Sequence, residues 1–305
     1  YRCQVYVDFS IVFDDAYRRW SGLAAELSGR GVPRMDEALR ERDLRPVRSP
    51  FAALLGLGAA SSDPATLQRG FEQFLRPVAE RAQGRVDENA CREDFKNRVA
   101  RLREPAAEGR KTRAAAGAAG PAAAAASHTP SAPDAPALAF LWPWTILRPL
   151  CGADAPASPV VSWLHEWMLA PIVSDHLSRA GWDPQSAASF PALFEAALHA
   201  EKLTGTGPTA ARSRPARKTR KKPPARPSWR EILTVPAAER FLRVHDFEGV
   251  RWFSKEALEL LVPSFSLVQT GDSPLTLEAG PVLELAAKSG YRWDDFLALI
   301  EPDSL

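Results

Sequence analysis

Three residues in one short run have the side chains for acid–base chemistry or a metal site: His245, Asp246 and Glu248, within FLRVHDFEGVRW. An imidazole and a carboxylate in hydrogen-bond reach can pass a proton near neutral pH, and both ligate zinc. The same residues also fit a surface turn at Gly249, with Asp246 capping backbone amides. A second pair, His165-Glu166, opens like a zinc-protease motif. Such a motif needs another histidine four positions after the first, and that position is Leu169. The pair therefore fits the edge of an aromatic core better than a metal. Trp142 and Trp144 flank Pro143 and, if exposed, offer indole faces for stacking on sugar rings. Cys3, Cys91 and Cys151 are scattered, with no CxxC spacing, and read as buried thiols of a reducing compartment. No nucleophile elbow, phosphate-cradling loop or dinucleotide fingerprint is present. The residues alone name no reaction, and no cofactor or metal is expected.

Composition narrows the partners. The 305 residues suffice for two average domains or one large domain with insertions, and 45% apolar with 25% charged side chains is the make-up of a soluble globular protein. A net charge of +2 conceals segregation: residues 206–227 carry eight basic side chains and no acid, so the remainder is mildly acidic. That run has no aromatics for base stacking and is broken by prolines. It reads as a solvated tether, and nucleic acid is an unlikely partner. No apolar run approaches the roughly 20 residues of a spanning helix, so no membrane is expected.

These residues must be positioned by elements that the spacing predicts. Residues 3–13 alternate, with Cys3, Val5, Val7, Phe9, Ile11 and Phe13 on one side, as in a half-buried strand. Phe13, Tyr17, Trp20, Ala24 and Leu27 then predict an amphipathic helix from about Asp14. Further helices are expected around residues 35–44, from Ser49-Pro50, from Asp63-Pro64 with a kink or stop at Pro77, and over 88–103. Residues 105–136 collapse into Ala, Gly, Pro and Ser and read as a disordered insertion. In the aromatic block 137–205, LAFLWPWTILRPL must be buried or face a partner. One wide-faced helix should follow from Ser158-Pro159 to Gly181, and another from Asp183-Pro184 to Gly205. After the basic linker, block 228–305 opens on a capping box, Ser228 to Glu231. The apolar stretch 241–261 then leads into a helix capped by Ser254 and stopped by Pro263, before two short helices near the end. The fold class expected is mainly α: one or more multi-helical bundles, a short N-terminal strand or strand pair in block 1–104, and two disordered linkers. Trp252 is expected in the core.

Four blocks carry a resemblance: RCQVYVDFSIVFDDAYRRWSGLAAELSGRGVPRMDEALRE, LAFLWPWTILRPL, SWLHEWMLAPIVSDHL and FLRVHDFEGVRWFSKEALELL. In this order they resemble the long helical region after the catalytic barrel of large bacterial α-amylase-family proteins (glycoside hydrolase family 13). Residues 249–256 fit best, with Ser254 where the family pattern prefers Asn; both cap helices. The resemblance implies a non-catalytic accessory region of an α-glucan-acting glycosidase, packing against or supporting the barrel in cis or in trans. The family's aspartate nucleophile and glutamate acid have no counterpart, so no catalytic residue carries over. Two alternatives remain open: a free-standing helical protein-interaction module with a basic tether, and a catalytic helical domain using His245, Asp246 and Glu248. Tyr1 lies in a strand-like run, so the chain reads as a fragment, and the thiols suggest a cytoplasmic setting.

Overall fold

The computed structural model describes residues 11–58, 62–116, 135–152, 159–204, 228–268 and 279–300. Most of the strand expected over 3–13, the basic linker and residues 117–134 of the insertion lie outside the described residues. Among the described residues there are fourteen α-helices and one two-stranded sheet. Ile11 to Phe13 belong to no strand. Ile11, Phe13 and Tyr17 are 87%, 88% and 86% exposed, so neither the strand nor the helix predicted through Phe13 buries them.

The first helix, α1 (Arg19–Leu27), starts later than its apolar spacing predicts. Asp14 accepts hydrogen bonds from the amides of Trp20 and Ser21, and Asp15 from those of Tyr17 and Arg19. Two carboxylates thus satisfy the unpaired donors of the first turn from outside it.

α2 (Met35–Leu57) merges two predicted helices and runs through Pro46 and Pro50. Leu44, Val47, Phe51, Leu54 and Leu55 form a buried stripe that crosses both prolines. Each such side chain contributes about 1.5–3 kcal/mol on burial, against about 3 kcal/mol for an interior proline, so the stripe prevails. The same balance carries α3 (Pro64–Ala82) through Pro77, with Phe74, Leu75 and Val78 buried around it. Asp63 caps α3 as predicted, accepting from the Thr66 amide at 2.9 Å. α4 (Glu88–Ala116) continues twelve residues into the stretch read as a disordered insertion. Most of residues 105–116 are Ala, Arg or Lys, which prolong a helix already begun.

α5 (Ala135–Leu147) and a short 3-10 helix (Arg148–Cys151) contain the LAFLWPWTILRPL block. A helix apolar on all sides must be enclosed. α5 meets α2 and α4, and its rings reach across the core: Trp142 to Phe95 at 6.3 Å and Trp144 to Phe194 at 5.1 Å. The single helix expected from residue 158 to 181 is two, α6 (Val160–Glu166) and α7 (Ala170–Arg179). The chain breaks at Met168, whose φ of 53° is left-handed. α8 (Pro184–Ala188), capped by Asp183, and α9 (Phe190–Thr204) follow.

The last block contains α10 (Trp229–Leu233), α11 (Pro236–Phe241), strands β1 (His245–Phe247) and β2 (Val250–Trp252), then α12 (Lys255–Val268), α13 (Ala279–Lys288) and α14 (Trp293–Leu299). The capping box at Ser228 and Glu231 is formed. Ser254 caps α12, accepting from the Ala257 amide at 3.2 Å, but Pro263 does not end the helix. Val262, Ser264 and Phe265 are buried about that proline. α12 packs on α5, and α11 on α9. One continuous apolar core therefore joins all three ordered blocks.

Candidate functional site

The HDFEGVRW run folds as an antiparallel hairpin, with His245 opposite Trp252, Asp246 opposite Arg251 and Phe247 opposite Val250. Glu248 and Gly249 form its two-residue turn with φ of 53° and 77°, the positive pair whose twist suits a hairpin. His245, Asp246 and Glu248 are all exposed. Neighbouring residues of a strand project to opposite faces, so the His245 ring and the Asp246 carboxylate diverge. His245 Nδ1 instead lies 2.9 Å from the Arg243 carbonyl oxygen. The three candidates thus share a loop without converging on any point where a reacting atom could sit. Trp252 is only half-buried, a correction to its expected place in the core.

Trp142 and Trp144 are 5% and 1% exposed, so neither offers a face to a sugar. Trp142 Nε1 donates to the Leu54 and Leu55 carbonyls at 3.3 and 3.1 Å. Pro143 sits inside α5 and does not splay the indoles outward. His165 and Glu166 stand exposed at the end of α6, and Glu166 accepts a hydrogen bond from the Ser162 hydroxyl. Among the described residues no three His, Cys, Asp or Glu side chains gather in a way that could hold a metal ion.

Charge enters the core at a point no motif marks. Arg148 is 1% exposed and pairs with Glu201 of α9, its Nη1 donating to the Gly152 carbonyl at 3.2 Å. Glu201 also meets Arg98 at 3.3 Å, and Arg98 meets Asp94 at 2.9 Å. The ion pairs tie α4, the 3-10 helix and α9 together. Beside them the Cys91 thiol donates to the Pro149 carbonyl at 3.2 Å, and burial above all pushes its pKa up to about 12.

A groove of about 390 Å³ lies between α2 and α7. Leu55, Pro171 and Ile172 line it together with Arg48, His176 and Arg179. Arg48 Nη1 is 3.4 Å from Glu41, while its Nε is shielded from water and has no acceptor. Arg179 pairs with Asp175 one turn earlier on its own helix. Burial lowers the basicity of the His176 ring, and Arg179 adds to the effect; a hydrogen bond with the Ala139 backbone and the Asp175 charge oppose it. Sequence reasoning missed this set because Arg48 and His176 lie 128 positions apart and share no motif. Only the packing of α2 on α7 brings them together.

No family model, curated protein or solved structure matches this chain.

Proposed function

We propose that this chain is a non-catalytic helical accessory region that supports an α-amylase-family catalytic barrel and reaches α-glucan only through it, in the cytoplasm. The observation that supports the reading is the exposed apolar run Ile11, Val12, Phe13 and Tyr17. Large apolar side chains gathered on one short segment favour a covering partner. The four sequence blocks described above nominate the barrel as that partner. The test is to determine the coding sequence ahead of Tyr1 and to express the longer product. A (β/α)8 pattern with an aspartate nucleophile and a glutamate acid should lead into this chain. The longer product should hydrolyse α-glucan while residues 1–305 alone do not. Phe13→Ser with Tyr17→Ser should lower the melting temperature of the longer product and leave that of the present chain unchanged. An upstream region without a barrel, together with no copurifying glycosidase, overturns the reading.

A free-standing protein-interaction module is the second reading. It is favoured by the hairpin, where Phe247 is 60% exposed on strand β1, which pairs only with β2 among the described residues. Salt-sensitive retention on heparin that vanishes on deletion of residues 212–226 would select it.

A further inference from the structure

We propose that α1 is a releasable strap: it lifts off α2 as one piece with the apolar run ahead of it while the rest of the fold stays intact. Charge more than apolar burial sets how tightly it sits. Along α1 only Leu23 is buried, with Trp20 and Leu27 half-buried. Leu23 and Leu39 of α2 are both buried, yet both stand apart from the continuous core that joins the three blocks. Lifting α1 therefore uncovers little of what holds the molecule together, the condition for local opening. The remaining contacts are ionic. Glu26 meets Arg45 and, at 3.6 Å, Arg42, while Arg19 meets Asp43 at 3.3 Å. All five side chains are 31% to 56% exposed, so dissolved salt reaches and screens them. Arg42 Nη1 also donates to the Arg19 carbonyl at 3.1 Å, and its guanidinium lies against Gly22, where an added Cβ would overlap it. The missing side chain at Gly22 lets that guanidinium reach the backbone of α1. The connection to α2, residues 28–34, is exposed except at Val32, and open space surrounds Gly29 and Gly31 where a Cβ would stand. Ahead of the helix, Asp14 and Asp15 accept from the amides of Tyr17, Arg19, Trp20 and Ser21, so the run with Phe13 and Tyr17 travels with α1. A partner that takes the run would draw α1 away from Arg42 and Arg45, coupling its docking to exposure of that basic pair. The release itself belongs to this chain alone and is measured without a partner, so it can fail while the proposed function stands, and the reverse.

The experiment follows backbone amide hydrogen exchange by mass spectrometry on the full chain, comparing α1 with α3 in about 0.02 M and about 1 M NaCl. Amides of α1 should exchange through an opening that leaves α3 protected, and about tenfold faster at the higher salt, the scale of a few screened surface ion pairs. Arg42→Gln with Arg45→Gln should give the fast exchange already at low salt and remove most of the salt effect. Leu23→Ala should speed exchange at both salts and keep the salt effect, because it trims the apolar contact and leaves the ion pairs. In both variants α3 should stay protected and the melting temperature nearly unchanged. Exchange in α1 no faster than in α3 overturns the proposal, since α1 would then open only with the whole fold. So does a salt effect below about twofold, or one that survives the Arg42 and Arg45 substitutions at full size.

Discussion

Arg148 is the residue whose position hydropathy explains least, since a guanidinium 1% exposed must be matched or its burial is prohibitive. Glu201 matches it, and Arg98 shares that carboxylate. Glu201→Ala should therefore cost about 3–5 kcal/mol in urea denaturation, the range for a buried ion left uncompensated. Replacing the pair together, Arg148→Met with Glu201→Leu, should recover most of that loss. The neighbouring Cys91 has its thiol pKa pushed up to about 12, chiefly by burial, with Asp87 and Asp94 adding to the rise. Native protein at pH 8 should leave Cys91 unlabelled by iodoacetamide, and peptide mapping should find it alkylated only after unfolding in guanidinium. Among the indoles, Trp229 and Trp293 are fully buried and should each cost about 3–5 kcal/mol on truncation to alanine. Half-buried Trp252 should cost clearly less, a ranking that thermal melts resolve.

At the scale of elements, burial beats local punctuation. Local rules start a helix at Pro50, kink or stop one at Pro77 and stop one at Pro263, yet α2, α3 and α12 pass through all three because apolar stripes continue beyond them. Pro263→Ala returns one helical hydrogen bond to α12 and should stabilise the protein by about 1–2 kcal/mol, less than the full interior-proline penalty because the native helix is already adapted to the ring. Caps are different, because their effect is local and legible: Asp63, Asp183 and Ser228 all accept from first-turn amides as their spacing predicts. Burial pushes the Asp183 carboxyl up, but hydrogen bonds from Ser186 and the Gln185 amide, with the Arg243 charge, outweigh it and hold it below the ordinary range. A group with a depressed native pKa stabilises above its unfolded value, about 3.9, and that stabilisation is lost as pH falls through the native value. The melting temperature should accordingly drop below pH 4 less steeply in Asp183→Asn than in the unaltered chain. The hairpin was half legible: Gly249 marked the turn, but three-residue strands are too short for a period-two signal, so His245 and Asp246 looked like neighbours when they diverge.

For the whole molecule, the three ordered blocks share one core, and α5 is enclosed by helices drawn from all of them. Circular dichroism and tryptophan fluorescence should report coincident, single unfolding transitions. Deleting residues 228–305 should abolish folding instead of releasing a stable smaller domain, because it uncovers α5 and α9. Two separable transitions would contradict the shared core.

What the sequence determined by itself is the helical class, the caps at Asp63, Asp183, Ser228 and Ser254, and the demand that residues 138–150 be buried or face a partner. Each follows from neighbours within a turn or two, where periodicity and side-chain hydrogen bonding act directly. Tertiary structure alone decided which prolines a helix could absorb and that Trp142 and Trp144 face inward. It also set Arg148 on Glu201, and Arg48 across from His176. Those outcomes depend on surfaces contributed from distant parts of the chain, and the apolar area such surfaces bury together exceeds any local preference.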